Sequence, residues 1–321
     1  MEFTDTTKRV LARLKDFQRI TAEYVYRRFY LDPDPTDRFL VADEVGLGKT
    51  LVASGVVALA MEHLRRLKPS ERIDVVYICS NVSIASQNIT RLNVTQVQEF
   101  VRPTRLSLLP MHIAGIRDNH VNFIGLTPGT SFDPQSRDGK DEERALIYHV
   151  LKGKLDINRA GLRRLLRGRV KKEHWRTWTR DRRPDNLDKK ASNDFVDGIA
   201  TETAFHARLK GFCELSEREM WKSPERLNLI SELRCRMAEI SVEMLEPDLI
   251  ILDEFQRFKD LLDHANPEAR LAQKLFHYRG VKTLLLSATP YKMLSLDHEQ
   301  EDDHYPDFLK TLRFLFNSDE A

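Results

Sequence analysis

Arg38-Phe39-Leu40-Val41-Ala42, followed by Asp43-Glu44-Val45-Gly46-Leu47-Gly48-Lys49-Thr50, is the stretch whose reading decides the fold. The first five residues read as a buried strand, and Leu51 to Leu67 behind the loop has the spacing of a helix. A strand, a glycine loop ending Gly-Lys-Thr and a helix form the context that a phosphate-binding loop requires. Gly46 and Gly48 let the backbone turn tightly with its amide hydrogens pointing inward. The helix adds its positive N-terminal end. In such a loop Lys49 reaches the β- and γ-phosphates, Thr50 places a hydroxyl on Mg²⁺, and Leu47 and Leu51 lie beside the nucleotide. The competing reading is a glycine turn ahead of a core helix. It gains some weight because the general pattern opens on glycine, where this chain has Asp43.

Outward from the loop, further short apolar runs read as buried strands: Ile73 to Cys79, Arg105 to Leu109, Val121 to Leu126, Leu249 to Leu252 and Thr283 to Leu286. Helical spacing appears in Thr6 to Tyr30, Ile84 to Phe100 and Tyr305 to Phe316, and Asp32-Pro33-Asp34-Pro35 stops the first of these. Strands alternating with helices predict an α/β fold, with a mostly parallel sheet covered by helices on both faces. Ser136 to Glu243 contains no convincing strand and reads as a charged, mostly helical insertion. The expected division is therefore 1–135, 136–243 and 244–321.

Composition narrows the class. Of 321 residues, 41% are hydrophobic, enough for a sizeable core, and the net charge of +2 is too small to mark the whole chain as a polyanion binder. The three cysteines, Cys79, Cys213 and Cys235, show no zinc spacing and no disulfide framework, which fits a reducing compartment. No signal core follows the N-terminal basic residues and no apolar run nears membrane-spanning length. An intracellular, cytoplasmic protein with no membrane partner is expected.

Two later motifs support the loop. Leu249-Ile250-Ile251-Leu252-Asp253-Glu254 is an apolar strand ending in two carboxylates. Beside a phosphate loop, Asp253 is placed to hold Mg²⁺ and Glu254 to orient and polarise the attacking water. Consecutive residues of an extended chain point different ways, which separates the two roles. Thr283 to Leu286 then runs into Ser287-Ala288-Thr289-Pro290, whose hydroxyls suit hydrogen bonds to the acidic pair. A solvated strand end and an ordinary strand-to-loop turn are the plainer readings of these two segments.

Taken together, these residues resemble the superfamily-two helicases and translocases, closest to the Swi/Snf-like branch. Ala42 to Thr50 looks like motif I of that branch, where aspartate at the first loop position is normal. Asp253-Glu254-Phe255-Gln256 looks like motif II, although the family more often ends it Ala-His. Ser287-Ala288-Thr289 matches motif III. Phe17-Gln18 looks like the adenine-reading glutamine motif, with an amide that both donates and accepts. Ser80 and Asn81 occupy the place of motif Ia, and Thr127 and Thr130 that of motif Ib, loops that touch the nucleic-acid backbone in the family. The resemblance implies a RecA-like P-loop domain using ATP and Mg²⁺, with double-stranded DNA as the polymer. It also implies a second RecA-like lobe, supplied in cis or in trans, because the residues after Thr289 are too few to form one. The chain by itself is then expected to hydrolyse ATP very weakly or not at all.

The insertion matches no family. Between Arg159 and Arg183 it carries eleven Lys/Arg against Glu173 and Asp181. Arg163, Arg164, Arg167, Lys171 and Lys172 could track phosphates while Trp175 and Trp178 stack on bases, or the segment is a solvated face with both tryptophans in a core. His298, Asp302, Asp303 and His304 read as an acidic loop rather than a metal site. The leading functional expectation is a nucleic-acid-dependent ATPase, helicase or translocase. One biological setting is a restriction or phage-defence system with a nuclease or methyltransferase partner. The alternative is a non-motor ATP-binding switch or scaffold, against which the intact Lys49 and Glu254 argue.

Overall fold

The computed structural model describes residues 3–44, 46–95, 105–128, 138–181, 187–262, 269–287 and 305–316. The chain divides into two compact units. The first comprises Met1–Arg102, Asn119–Phe132 and Leu245–Ala321, and the second Pro103–Asp118 and Asp133–Met244.

The first unit opens with α1 (Asp5–Ala12), α2 (Asp16–Tyr30), β1 (Arg38–Ala42), α3 (Lys49–Leu67), β2 (Ile73–Cys79) and α4 (Val82–Leu92). A 3₁₀ turn, Leu106–Met111, and α5 (Ile113–Asp118) begin the second unit, and the chain returns to the first for β3 (Val121–Leu126). The second unit continues with α6 (Asp141–Leu151), α7 (Arg159–Arg167), α8 (Lys172–Arg176), α9 (Lys189–Thr201), α10 (Thr203–Glu214), α11 (Glu217–Lys222) and α12 (Glu225–Met244). Finally β4 (Pro247–Asp253), α13 (Arg270–Phe276), β5 (Lys282–Ser287) and α14 (Tyr305–Phe316) complete the first unit.

The fold is α/β, as expected. Among the described residues all five strands are parallel, in the order β1-β5-β4-β2-β3. Every residue of β2 and β3 is buried, which is why those runs are continuously apolar instead of alternating. Val41, Val75, Tyr77, Ile251, Leu284 and Leu286 form one core with Val25 and Phe29 of α2, Val52 and Val56 of α3, and Ile89 of α4. The alternate residues Val76, Ile78, Ile250, Leu252 and Leu285 are also buried, so both faces of the sheet are covered. Each fully buried Leu or Ile side chain contributes about 1.5–3 kcal/mol. Among the described residues no helix is long and apolar enough to cross a membrane.

Three expected elements differ from the structure. Thr6 to Tyr30 is two helices, because Lys15 is extended and its N–H is taken by the Gln18 side chain at 3.0 Å, which starts a new helix. Ile84 to Phe100 is helical only as Val82–Leu92, and 96–104 lies outside the described residues. Arg105 to Leu109 is not a strand. Pro110 lacks the N–H that a ladder needs, and Ser107 instead donates to the buried carboxylate of Glu143 at 2.5 Å. The segment therefore belongs to the helical unit, whose membership begins earlier than the expected insertion.

The second unit has its own apolar core, built around Leu146, Ile147, Leu165, Leu166, Phe195, Leu209, Leu229 and Leu233. Trp175, 2% exposed, is part of it, and Trp178 packs at its edge. The core reading holds for Trp175, which is not available to stack on bases, whereas Trp178 is half-buried. Glu143 lies beside Arg234 (3.1 Å) and caps the Lys140 N–H (2.7 Å), so a charge 1% exposed is compensated on all sides. Where α7 meets α10, a Cβ on Gly161 would stand 1.7 Å from the Cys213 carbonyl oxygen. Gly161→Ala is thus expected to destabilise the chain by about 1–3 kcal/mol, the usual cost of overpacking, measured by urea unfolding followed by circular dichroism. An unchanged midpoint would disprove the close helix approach.

Candidate nucleotide-binding site

Parallel pairing brings the motif-bearing strand ends to one edge. Ala42 is in register with Ser287, Leu286 with Asp253, and Asp253 with Cys79. Neighbouring strands lie about 4.8 Å apart, so the end of β1 and Asp253, two strands away, are roughly 10 Å apart. The C-terminal edge of a parallel sheet is where open α/β folds bind ligands.

After β1, two glycines shape the described part of the loop, and Val45 lies outside the described residues. Gly46 and Gly48 have φ of +87° and +81°, in the left-handed region. A Cβ on Gly46 would meet nothing within 4 Å, whereas one on Gly48 would stand 2.5 Å from Gln18 Nε2. Gly48 caps the nineteen-residue α3, accepting from Leu51 and Val52 N–H at 2.8 and 3.1 Å. The Lys49 ammonium donates to the Asp43 and Glu44 carbonyl oxygens at 2.9 Å each, which holds the charge within the arc of the loop. Leu51 N–H is taken by Gly48, and Lys49 and Thr50 are the residues at the start of the helix whose backbone N–H groups have no intrahelical acceptor.

Gln18 has a supporting position. It is 4% exposed, its Nε2 donates to the Leu47 carbonyl at 2.8 Å, and its Oε1 accepts from Lys15 N–H. Two of the amide's four hydrogen-bonding positions are thereby used on the loop and on α2.

Asp253 ends β4 at 7% exposure. Its Oδ2 accepts from the Tyr77 hydroxyl at 2.5 Å and from Asn88 Nδ2 at 3.3 Å. Burial pushes its carboxyl above the usual range, with the Tyr77 hydrogen bond opposing and the neighbouring Glu254 charge adding to the rise. Burial and the adjacent Asp253 likewise raise the Tyr77 phenol, and burial raises the Cys79 thiol. Glu254 is left-handed, with φ 53° and ψ 41°; no other described non-glycine residue has positive φ. Its N–H donates to the Leu286 carbonyl at 3.1 Å, and its side chain, 39% exposed, pairs with Arg257 at 3.0 Å. Buried Asp253 and accessible Glu254 are thus turned into different environments by one strained residue. Ser287 Oγ donates to Gln256 Oε1 at 3.2 Å, so the fourth position of the acidic motif is joined to the strand that carries Ser287.

The remaining sites separate. Ala288, Thr289 and Thr130, together with His298, Asp302, Asp303 and His304, lie outside the described residues. Ser80 is exposed; Asn81 caps α4 by accepting from Ser83 and Ile84 N–H; Thr127 is buried at the end of β3. In the second unit Arg163, Lys171 and Lys172 are exposed. Arg164 and Arg167 are instead structural: Arg164 donates to the Leu215 carbonyl at 3.0 Å and Arg167 pairs with Glu217 at 2.8 Å. The basic pattern overstated the free charge because helical neighbours of α7 face α10 and α11. Tyr77 and Asn88 had not been singled out, although a tyrosine inside an apolar strand must find a partner for its hydroxyl.

Compared with known proteins, the chain matches no family model, no curated protein and no solved structure.

A left-handed residue other than glycine costs of order 1–3 kcal/mol and recurs at functional sites. Glu254→Gly is expected to be more stable than Glu254→Ala by about 1 kcal/mol, because only glycine relieves that strain. Chemical denaturation of the two variants checks this, and equal midpoints would show that the backbone at 254 is unstrained.

Proposed function

We propose that the first unit is the ATP-binding lobe of a nucleic-acid-dependent motor ATPase, RecA-like in architecture. The observation that carries this reading is the convergence of the Gly46–Thr50 loop, Asp253, Glu254 and Ser287 on adjacent strand ends of one parallel sheet. A glycine turn ahead of a core helix does not account for a strained Glu254 next to a buried Asp253 at that same edge.

The residues fit a Mg²⁺–nucleotide. The two left-handed glycines leave open space over Gly46, the start of α3 offers amide donors, and Lys49 brings a cation. Thr50 and Asp253 would hold the metal, a small protein ligand set of the kind Mg²⁺ takes when phosphates and water complete its shell. Bound Mg²⁺ supplies charge neutralisation at the β- and γ-phosphates. Lys49 binds the same phosphates, and Glu254 orients a water and accepts its proton. Gln256 and Ser287 link the acidic strand end to β5 and offer a route for changes at the phosphates to reach the rest of the unit. A second lobe, in cis or in trans, would supply the remaining charge for hydrolysis. The resemblance favours double-stranded DNA as the polymer, with a restriction or phage-defence role as one setting.

Lys49→Ala is expected to abolish Mg·ATP binding in isothermal titration, and equal affinity would reject the loop assignment. Glu254→Gln is expected to bind ATP and lose hydrolysis in the complete ATPase, by at least the 10²-fold typical of a lost general base. Wild-type phosphate release by that variant would remove Glu254 from its role. For the second unit, reversing Arg163, Lys171 and Lys172 to glutamate is expected to weaken DNA binding. For every cation removed from a DNA phosphate, the slope of log affinity against log salt should flatten by about one. Identical salt series for variant and wild type would assign this face elsewhere.

A further inference from the structure

We propose that Tyr77 and Asn88 are positioning residues that set the orientation of Asp253 toward a divalent cation, an inference that rests on the nucleotide-site reading above. Three elements of the first unit meet in a closed triangle of hydrogen bonds. The Tyr77 hydroxyl, from β2, donates to Asp253 Oδ2 at 2.5 Å. Asn88 Nδ2, from α4, donates to the Tyr77 hydroxyl oxygen at 2.8 Å and to the same Oδ2 at 3.3 Å. Tyr77 is 1% exposed and Asn88 8%.

The donor accounting gives each residue a separate task. A phenol has one hydrogen, and here it goes to Asp253; the phenol oxygen then accepts from Asn88. Asn88 therefore sets the rotor of the Tyr77 hydroxyl as well as meeting the carboxylate directly. With Oδ2 held by two donors, rotation of the Asp253 carboxylate breaks both bonds, so the pair fixes how the carboxylate is turned. A phenylalanine at 77 and an apolar residue at 88 would fill the same space without burying two polar groups, each costly unless paired. Both buried donors instead converge on one oxygen of the buried Asp253 carboxylate at the shared strand edge. Hydrogen bonds behind a ligating carboxylate orient it, and their loss weakens metal affinity by about 10- to 100-fold.

The test is isothermal titration of ATP into wild type, Tyr77→Phe, Asn88→Ala and the double variant, once with MgCl₂ and once with EDTA. Thermal melting checks that each variant is folded, and the second single variant covers failure of the first. The expected result is Mg·ATP affinity weakened about 10- to 100-fold, with affinity in EDTA unchanged. A parallel loss in MgCl₂ and in EDTA would show collapse of the site and overturn the positioning role. Wild-type Mg·ATP affinity in all three variants would overturn it while leaving the nucleotide reading intact. Wild-type protein whose ATP binding ignores Mg²⁺ would overturn the metal reading of Asp253, and this inference with it.

Discussion

The parallel register of β1, β5, β4 and β2 is the constraint on which the candidate site depends. Ala42, Ser287, Asp253 and Cys79 are remote in sequence, and only their common end in one sheet makes them neighbours. Because side chains alternate along a strand, a slip of one residue would turn Asp253 to the opposite face and bury the wrong set of apolar residues. The cores on the two faces of the sheet therefore hold the chemistry in place. Leu252 and Leu286 are fully buried immediately before or beside the residues that project at the edge.

Around that edge, special backbone conformations do the fine placement. Two left-handed glycines shape the loop and one left-handed glutamate ends β4. The loop is also braced from α2, since Gln18 donates to Leu47 and lies so near Gly48 that a Cβ there would displace the Gln18 amide. α2 thus contributes to the site by position more than by an exposed functional group. Asp253 is braced from the opposite direction by β2 and α4 through Tyr77 and Asn88. The loop and Asp253 are thus each held by a different element.

The helical unit shows why basic runs are poor counters of free charge. Arg144, Arg226 and Arg234 are buried, and with Arg164 and Arg167 they hold loops and helix ends inside that unit. Burying a guanidinium is tolerable because its five donors can satisfy several carbonyls and carboxylates at once. Among the described residues of Arg159 to Arg183, the exposed cations that remain are Arg159, Arg163, Arg169, Lys171, Lys172 and Arg176.

From the sequence alone came what local chemistry dictates. Glycine spacing announced the turn after Ala42, unbroken apolar runs announced strands buried on both faces, and Asp253-Glu254 announced an acidic strand end. The lack of a convincing strand and the charge of Ser136 to Glu243 set that segment apart from the sheet. The tertiary structure decided what depends on partners distant in sequence. The Leu106–Met111 turn arises because Ser107 meets Glu143, thirty-six residues on, and Gln18 braces the loop because Leu47, twenty-nine residues on, comes within its reach. Arg164 and Arg167 look as available as their neighbours until Leu215 and Glu217 meet them, and Trp175 until Tyr148 of α6 packs against it. Tyr77 and Asn88 carry no motif at all. A hydroxyl and an amide acquire direction only when β2, α4 and β4 bring them to a single carboxylate oxygen, and hydrogen bonds at 2.5 to 3.3 Å depend on that geometry, which residue order does not encode by itself.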